Sequence, residues 1–374
     1  MKLAIVRQSY TPFGGAERFV ERAVEALNRS DLSLTIVARR WRGAPTHEVL
    51  RCDPFHLGRT WRDASFARCV QKLIADRRFD IVQSHERITG CDVFRAGDGI
   101  HATWLELRSR AGGSLSRLGQ ALSPWHRYTL AAEAAMFADP RLRAVICNSR
   151  MVRDDLARRF GLDSAKLHVI YNGIDLDDYS PALRDAHRSR VRQEQGVGEA
   201  APVMLFVGSG FERKGVRALI DAAAMMRESG AQLWIIGKDK HRARYEAHAR
   251  GAGVAGRVRF LGPQQDVRPY YGAADAFALP TLYDPFPNAA LEALASGLPL
   301  VTSASCGASE LVEPGRNGFV CDALDIPALA RSLDALCAPG AARAMAAAAR
   351  ATAMPLSREA MADRLVALYR SLMA

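Results

Sequence analysis

The sequence predicts an α/β protein made of two parallel-sheet domains, and three observations carry that prediction. Short apolar runs alternate with helix-period segments along nearly the whole chain, the pattern of sheets covered by helices on both faces. The alternation breaks once, at a polar and charged stretch over residues 175–201, and then resumes. At 374 residues the chain is longer than one hydrophobic core usually serves. The expected division is a first domain over 1–175, a linker over 176–200 and a second domain over 201–355.

In the first domain, residues 3–6 (Leu-Ala-Ile-Val) read as a buried strand, followed by a turn at Pro12-Phe-Gly-Gly15. A helix is expected from about 16 to 28, with Phe19, Val20, Ala23, Val24 and Leu27 on one face. Strands follow at 34–37, 81–83 and 144–147, with a helix near 64–76 between the first two. The segment 99–136 is more polar and carries Trp104, Arg108, Arg110, Arg117, Trp125 and Arg127. It reads either as amphipathic helices meeting a lipid interface or as a helical excursion packed on the domain. Residues 167–173 give a last strand and turn. The second series places strands at 203–207, 233–236, 258–261, 276–279 and 300–302, with helices between. An alanine-rich helix ends at Pro355, and 358–373 form a final amphipathic helix.

The totals narrow the class. Hydrophobic content of 49% with 24% charged residues is that of an ordinary globular protein. No stretch approaches 18 uncharged apolar residues, so no transmembrane helix is expected, and the start reads as a strand rather than a signal peptide. Seven scattered cysteines without CxxC spacing argue for reduced thiols in a cytoplasmic protein, with neither a zinc site nor a disulfide framework. His85-Glu86 begins like a metalloprotease motif, but Thr89 stands where the second histidine belongs. Net charge is +11, unevenly spread: residues 1–170 hold 28 Lys and Arg against 18 acids, a balance of +10, and the remainder holds 23 against 22. Solvated excess charge would be shared by both halves. The asymmetry points to an anionic partner for the first, such as a membrane surface or an acidic acceptor, rather than nucleic acid.

The chemistry concentrates in a few turns. Between residues 284 and 297 a loop carboxylate, Asp284, precedes a helical one, Glu292, with two prolines and Asn288 between them. Asn288 is expected to cap a short helix whose first N–H groups attract an anion, while the carboxylates grip hydroxyls. Phosphate beside hydroxyls describes a nucleotide sugar. Gly208-Ser-Gly210 follows a strand, but Arg213 stands where the third glycine of a dinucleotide fingerprint would fall. Arg213 and Lys214 form a basic pair suited to clamp a diphosphate, against the alternative of two solvated cations. Gly14 and Gly15 allow backbone to approach a ligand closely. Asp98 and His101, in a glycine turn, offer hydroxyl and phosphate contacts. Gly237-Lys-Asp-Lys240 sits at the carboxyl edge of a strand, where such folds bind ligands.

These residues resemble those of retaining glycosyltransferase family 4, which has the GT-B fold. Asp284 and Glu292 with the following Ala-Leu-Ala-Ser-Gly-Leu-Pro look like its E-x7-E region. Arg213-Lys214-Gly215 is similar to its diphosphate clamp, Phe13-Gly14-Gly15 to its N-terminal glycine loop, and 311–320 to its downstream segment. Within the family, Cys91 to Asp98 and Asp239-Lys240 most resemble the lipopolysaccharide core glucosyltransferase I group. The resemblance implies two Rossmann-like domains facing across a cleft, with the C-terminal helix, 356–374, crossing back to the first. It implies Glu292 on the ribose, Asp284 on the donor sugar and Arg213 and Lys214 on the diphosphate. Backbone near Asn288 and Ala289 orients the sugar, and the glycine loops at Gly14, Gly15, Gly208 and Gly237, with Asp239, complete the donor site. His101 and Asp98 line the acceptor side. Two departures stand out: Asp284 where the family usually has Glu, and Pro287, without an N–H, where it usually has Gly.

The implied activity is metal-independent transfer of a hexose with retention, most naturally glucose from UDP-glucose, with the nucleotide sugar as substrate and no cofactor. The acceptor expected from the charge is an anionic glycolipid, a lipopolysaccharide inner core, met at the cytoplasmic face of the inner membrane. The alternatives are a family 4 enzyme acting on a capsule, exopolysaccharide or polyprenyl-linked acceptor, an epimerase of related fold, and a non-catalytic nucleotide-sugar-binding protein.

Overall fold

The computed structural model describes residues 1–10, 33–41, 48–112 and 119–373. The expected helix at 16–28 and the loop glycines Gly14 and Gly15 lie outside the described residues. The chain divides into two compact units, Met1–Gly173 with Arg358–Ala374, and Ile174–Ser357.

The first unit carries strands β1 (Lys2–Tyr10), β2 (Ser33–Trp41), β3 (Glu48–Arg51), β4 (Ile81–Ser84), β5 (Val93–Arg95), β6 (Ala144–Cys147) and β7 (Leu167–Val169). They pair in parallel in the order β3-β2-β1-β4-β5-β6-β7. Its described helices are α1 (Gly58–Asp76), α2 (His101–Ala111), α3 (Pro124–Phe137), α4 (Arg150–Phe160) and α13 (Arg358–Met373). Every expected strand is present. The additions, β3 and β5, are four and three residues long and lack the uninterrupted aliphatic run by which the others announce themselves.

One sheet face packs Leu3, Ile5, Ile36, Ile81 and Ile146 against Met361, Leu365 and Tyr369 of α13. The last helix is therefore part of the first unit's core, and the Tyr369 hydroxyl donates to Gln83 Oε1 at 2.6 Å. The opposite face packs Val6, Val37 and Val82 against Phe66 and Val70 of α1. Cys52 and Cys69 form a disulfide between the end of β3 and α1, with Cα atoms 5.9 Å apart. This corrects the expectation of reduced thiols throughout: the two cysteines are 17 residues apart in sequence, a separation with no signature, and it is the packing of α1 on the sheet that brings them together.

The second unit carries β8 (Val203–Val207), β9 (Gln232–Ile236), β10 (Val258–Gly262), β11 (Ala276–Leu279), β12 (Leu300–Ser303) and β13 (Gly318–Cys321), parallel in the order β10-β9-β8-β11-β12-β13. Around it lie α5 (Ala182–Glu194), α6 (Phe211–Lys214), α7 (Val216–Met225), α8 (Arg242–Gly251), α9 (Arg268–Ala273), α10 (Asn288–Ala295), α11 (Ile326–Cys337) and α12 (Ala341–Ala353). Both sheets share the doubly wound order in which the chain reverses direction beside its first strand.

The segment expected as a linker belongs to this unit and contains α5. Its anchor is polar. Arg192, fully buried, donates to the carbonyls of Ala273, Gly198 and Ala201 and to Asp275 Oδ2 at 2.6 Å, and Arg184 and Arg188 converge on the same carboxylate. A helix held by arginines on one aspartate leaves little apolar periodicity in the sequence.

Candidate active site

In the second unit, β8 ends in a glycine turn that feeds α6, a single turn carrying Arg213 and Lys214. Gly215 closes it at φ 78°, and a Cβ there would lie 2.0 Å from the Pro280 carbonyl oxygen, so only glycine fits. The loop after β11 grips the turn from the other side. Leu282 N–H and Thr281 Oγ1 both donate to the Arg213 carbonyl at 2.8 Å.

Asp284 is buried between the two cations: Arg213 Nη1 lies 3.0 Å from Oδ2, and Lys214 Nζ makes a short ion pair with the same oxygen. Burial pushes its carboxyl pKa up, but the charges of Lys214 and Arg213 outweigh that and hold it below the usual range. One buried carboxylate thus holds two cations in fixed positions at this edge of the sheet. Asp284 N–H donates to the Ser305 carbonyl, and its carbonyl accepts from Gly307 N–H, so its backbone is pinned as firmly as its side chain.

The helix after Asp284 starts one residue earlier than expected. Pro287, at φ −72° and ψ 126°, occupies the cap, and Asn288 is the first residue of α10 rather than its N-cap. Proline's fixed φ suits this boundary, so no side-chain cap is made there. Glu292, one turn on, is buried, and Tyr271 of α9 donates its hydroxyl to Glu292 Oε2 at 3.0 Å. The same hydroxyl lies 3.2 Å from the Ala289 carbonyl. No sequence motif singled out Tyr271; its only signal was an aromatic just before a strand.

Gly208 and Gly237 stand against each other. A Cβ on Gly237, at φ 142°, would lie 1.9 Å from the Gly208 carbonyl oxygen. Asp239 spends its carboxylate on backbone: Oδ2 accepts from Phe211 N–H and Oδ1 from His241 N–H, both at 2.7 Å. It thereby fixes the start of the turn that presents Arg213 and Lys214.

The other expected residues lie in the first unit. Asp98 is mostly exposed, 3.6 Å from Arg7 Nη1. His101, the first residue of α2, is buried; its Nε2 lies 2.9 Å from His126 Nδ1, and its ring meets Trp125 edge-on at 5.2 Å. Burial, then the positive charge of Arg87 and the neighbouring His126, pull its pKa down to about 4, so it is neutral at physiological pH. Sequence reasoning missed Glu133 of α3, which is 2% exposed. It accepts from the His101 N–H at 3.0 Å and from Arg87 Nε at 2.8 Å, while Arg87 also donates to the Gly99 carbonyl. Glu133 does for α2 what Ile100 at the cap position cannot. Among the described residues, no group of three or more His, Cys, Asp or Glu stands where it would hold a metal ion.

Comparison with known proteins gives this geometry a context. Residues 13–178 match the model of Glycosyltransferase Family 4, and residues 201–339 that of Glycosyl transferases group 1. The chain belongs to glycosyltransferase family 4. It is 27% identical over 326 residues to the lipopolysaccharide glucosyltransferase WaaG of Escherichia coli K12, covering 86% of this chain and 85% of that one. It is 30% identical over 306 residues to the glycogen synthase of Mycobacterium tuberculosis, covering 80% and 67%. Among solved structures, WaaG superposes with a TM-score of 0.83 at 25% identity over 98% of this chain and 99% of that one. Anabaena HepE, solved with UDP-glucose, has the same fold, with a TM-score of 0.73 at 20% identity over 99% and 100%. This family 4 member is thus a glycosyltransferase, with the GT-B architecture of two Rossmann-like domains.

Proposed function

We propose that this chain is a retaining, metal-independent hexosyltransferase that moves glucose from UDP-glucose to the inner core of a membrane-held lipopolysaccharide. The observation that carries this reading is the Arg213–Lys214 pair, both cations held in place by buried Asp284. A diphosphate gathers negative charge on its β-phosphate as the sugar departs. Fixed cations stabilise that charge more in the transition state than in the bound substrate. In the reaction the bond from C1 to the β-phosphate oxygen breaks, the acceptor oxygen bonds C1 on the same face, and the hydroxyl proton passes to the departing phosphate. Glu292, held by Tyr271, takes the ribose hydroxyls, and Asp284 both positions the cations and meets the sugar. Neutral His101 serves as a hydrogen-bonding wall for the acceptor and carries no charge.

WaaG, a lipopolysaccharide glucosyltransferase, and the Rhizobium meliloti protein LpsE, a lipopolysaccharide core biosynthesis glycosyltransferase 36% identical over 173 residues (46% of this chain and 50% of that one), support the acceptor class. The UDP-glucose in HepE supports the donor. The +10 balance of residues 1–170 supports an anionic acceptor at the cytoplasmic face of the inner membrane. The test is transfer of labelled glucose from UDP-glucose to lipopolysaccharide truncated at the inner core, with GDP-mannose and UDP-GlcNAc as competing donors. Label in the glycolipid with α linkage supports the proposal. Donor binding without transfer to any acceptor would leave a nucleotide-sugar-binding protein instead.

A further inference from the structure

The segment 55–61 does something the sequence did not advertise. Phe55 is 73% exposed, Leu57 68% and Trp61 44%, three large apolar side chains within seven residues. The rings of Phe55 and Trp61 meet edge-on at 5.5 Å. By contrast, the tryptophans that composition nominated for a lipid interface are half-buried: Trp125 donates Nε1–H to Asp63 at 2.8 Å, and Trp104 lies under Arg108.

The exposed tip is held in shape from beneath. Arg39, 3% exposed, reaches through the loop with Nη1 on Asp53 and the Pro54 carbonyl and Nη2 on the Arg62 carbonyl and Ser65 Oγ, all within 3.2 Å. The Cys52–Cys69 bridge ties the same loop to α1. A buried arginine committed to a loop that shows its apolar side chains to water is a cost the fold accepts only for presentation.

The charge around the tip is one-sided. Among the described residues of 39–68 there are six arginines against three carboxylates. Glu48 pairs with Arg77, Asp53 with Arg39 and Arg51, and Asp63 with Arg62, Gln8 and Trp125. Each carboxylate is thus engaged, Asp53 by two arginines at once; Arg51, one of these, remains 76% exposed at its side chain, and Arg59 is exposed with its guanidinium over the Trp125 ring at 5.0 Å.

We infer that segment 55–61 is a prebuilt seat for an anionic lipid surface, with Phe55, Leu57 and Trp61 entering the headgroup layer while Arg51 and Arg59 meet the acidic headgroups. Side chains this exposed stand off the surface, which suits insertion between headgroups better than burial against a flat protein partner. The inference deepens the proposed membrane-held acceptor and rests on it for its purpose.

The test is co-sedimentation of the full chain with vesicles of phosphatidylethanolamine and phosphatidylglycerol, against vesicles of phosphatidylcholine, at low and high salt. The expected result is binding to the anionic vesicles that weakens with salt. The triple variant F55S/L57S/W61S should lose more than roughly tenfold in vesicle affinity, and Arg51→Ser or Arg59→Ser roughly fivefold each. Melting temperature and UDP-glucose binding should stay at wild-type values. Wild type that ignores anionic vesicles, or a triple variant that binds as well as wild type, overturns the inference. So does a triple variant that only changes the mass seen in gel filtration, which would make the tip a self-association surface. Glucose transfer to a deacylated, water-soluble acceptor separates the two proposals: transfer without vesicle binding sinks this one alone, and vesicle binding without transfer sinks the enzymatic reading alone.

Discussion

The two units carry the same strand order but handle charge in opposite ways. In the second unit the cations of the site are drawn inward onto buried Asp284, and the same economy holds α5, where three arginines converge on Asp275. In the first unit the buried site histidine is kept neutral, Arg39 and Arg95 are buried, and other arginines, Arg51 and Arg59 among them, stand exposed. One unit draws arginine and lysine onto buried or half-buried carboxylates. The other also leaves arginines such as Arg51 and Arg59 largely exposed. The shared topology decides neither arrangement; both are set by which carboxylates the loops supply.

The contrast breaks most sharply at Asp284. Asp284→Ala leaves buried Lys214 without its counter-charge, at a cost of about 3 kcal/mol, most of it from Lys214 because Arg213 is 38% exposed. Chemical denaturation should show that loss. Glucose transfer should fall by a larger factor than UDP affinity, since Glu292 is untouched. Equal losses of transfer and affinity would mean that Asp284 is only a strut.

Next is Gly237→Ala. Its Cβ would collide with the Gly208 carbonyl and force apart the two loops that flank the cation turn. A cost of about 1–3 kcal/mol is expected with weakened UDP binding, readable by calorimetry.

The neutral histidine sharpens the comparison through pH. The folded pKa of His101 is about 4, and burial holds that of His85 well below the usual value near 6.5. Through these histidines the unfolded chain binds more protons below pH 6.5, and their contribution to the first unit's stability, complete above that, drains away as pH falls toward 4, offset in part by Glu86, whose pKa burial raises. Asp284 has a lowered pKa as well, but its contribution is lost only below the ordinary carboxylate range. Between pH 6.5 and 4.5 the first unit should weaken while the second holds. Two separate melting transitions, moving differently with pH, would show it. His101→Gln should flatten the slope of the first.

The smallest effect is expected from Tyr271→Phe, which removes one hydrogen bond to Glu292 at about 1 kcal/mol. If Tyr271 orients Glu292 toward ribose, the affinity lost on replacing UDP with its 2′-deoxy form should shrink in this variant. An unchanged loss would confine Tyr271 to packing.

Most of the sheet was legible because parallel strands buried on both faces are written as short aliphatic runs, as at 3–6, 144–147 and 203–207. What escaped was written in other terms. β13 begins at Gly318 and mixes a phenylalanine with a cysteine, and α5 is anchored by arginines, so neither shows apolar periodicity. Arg213, Lys214 and Asp284 drew notice in the sequence because they follow strands closely, and Glu292 because it stands eight residues after Asp284 on the helix that follows. Glu133 and Tyr271 did not: each acts on a residue far away in sequence through a single polar atom, and nothing in its own neighbourhood marks it. Asp239 was noticed for its place at a strand end; that its carboxylate also accepts from two backbone N–H groups has no sequence signal.

The C-terminal helix gives the protein an order of birth. The core of the first unit is incomplete without Met361, Leu365 and Tyr369, which leave the ribosome only after the whole of the second unit has been made. The second unit is contiguous from Ile174 to Ser357. The usual sequence of synthesis, in which the leading domain matures first, is inverted. The first unit waits, with its sheet face open, for a helix translated after the second has been made, so a nascent chain stalled just past Ser357 would carry a complete second unit and an unfinished first.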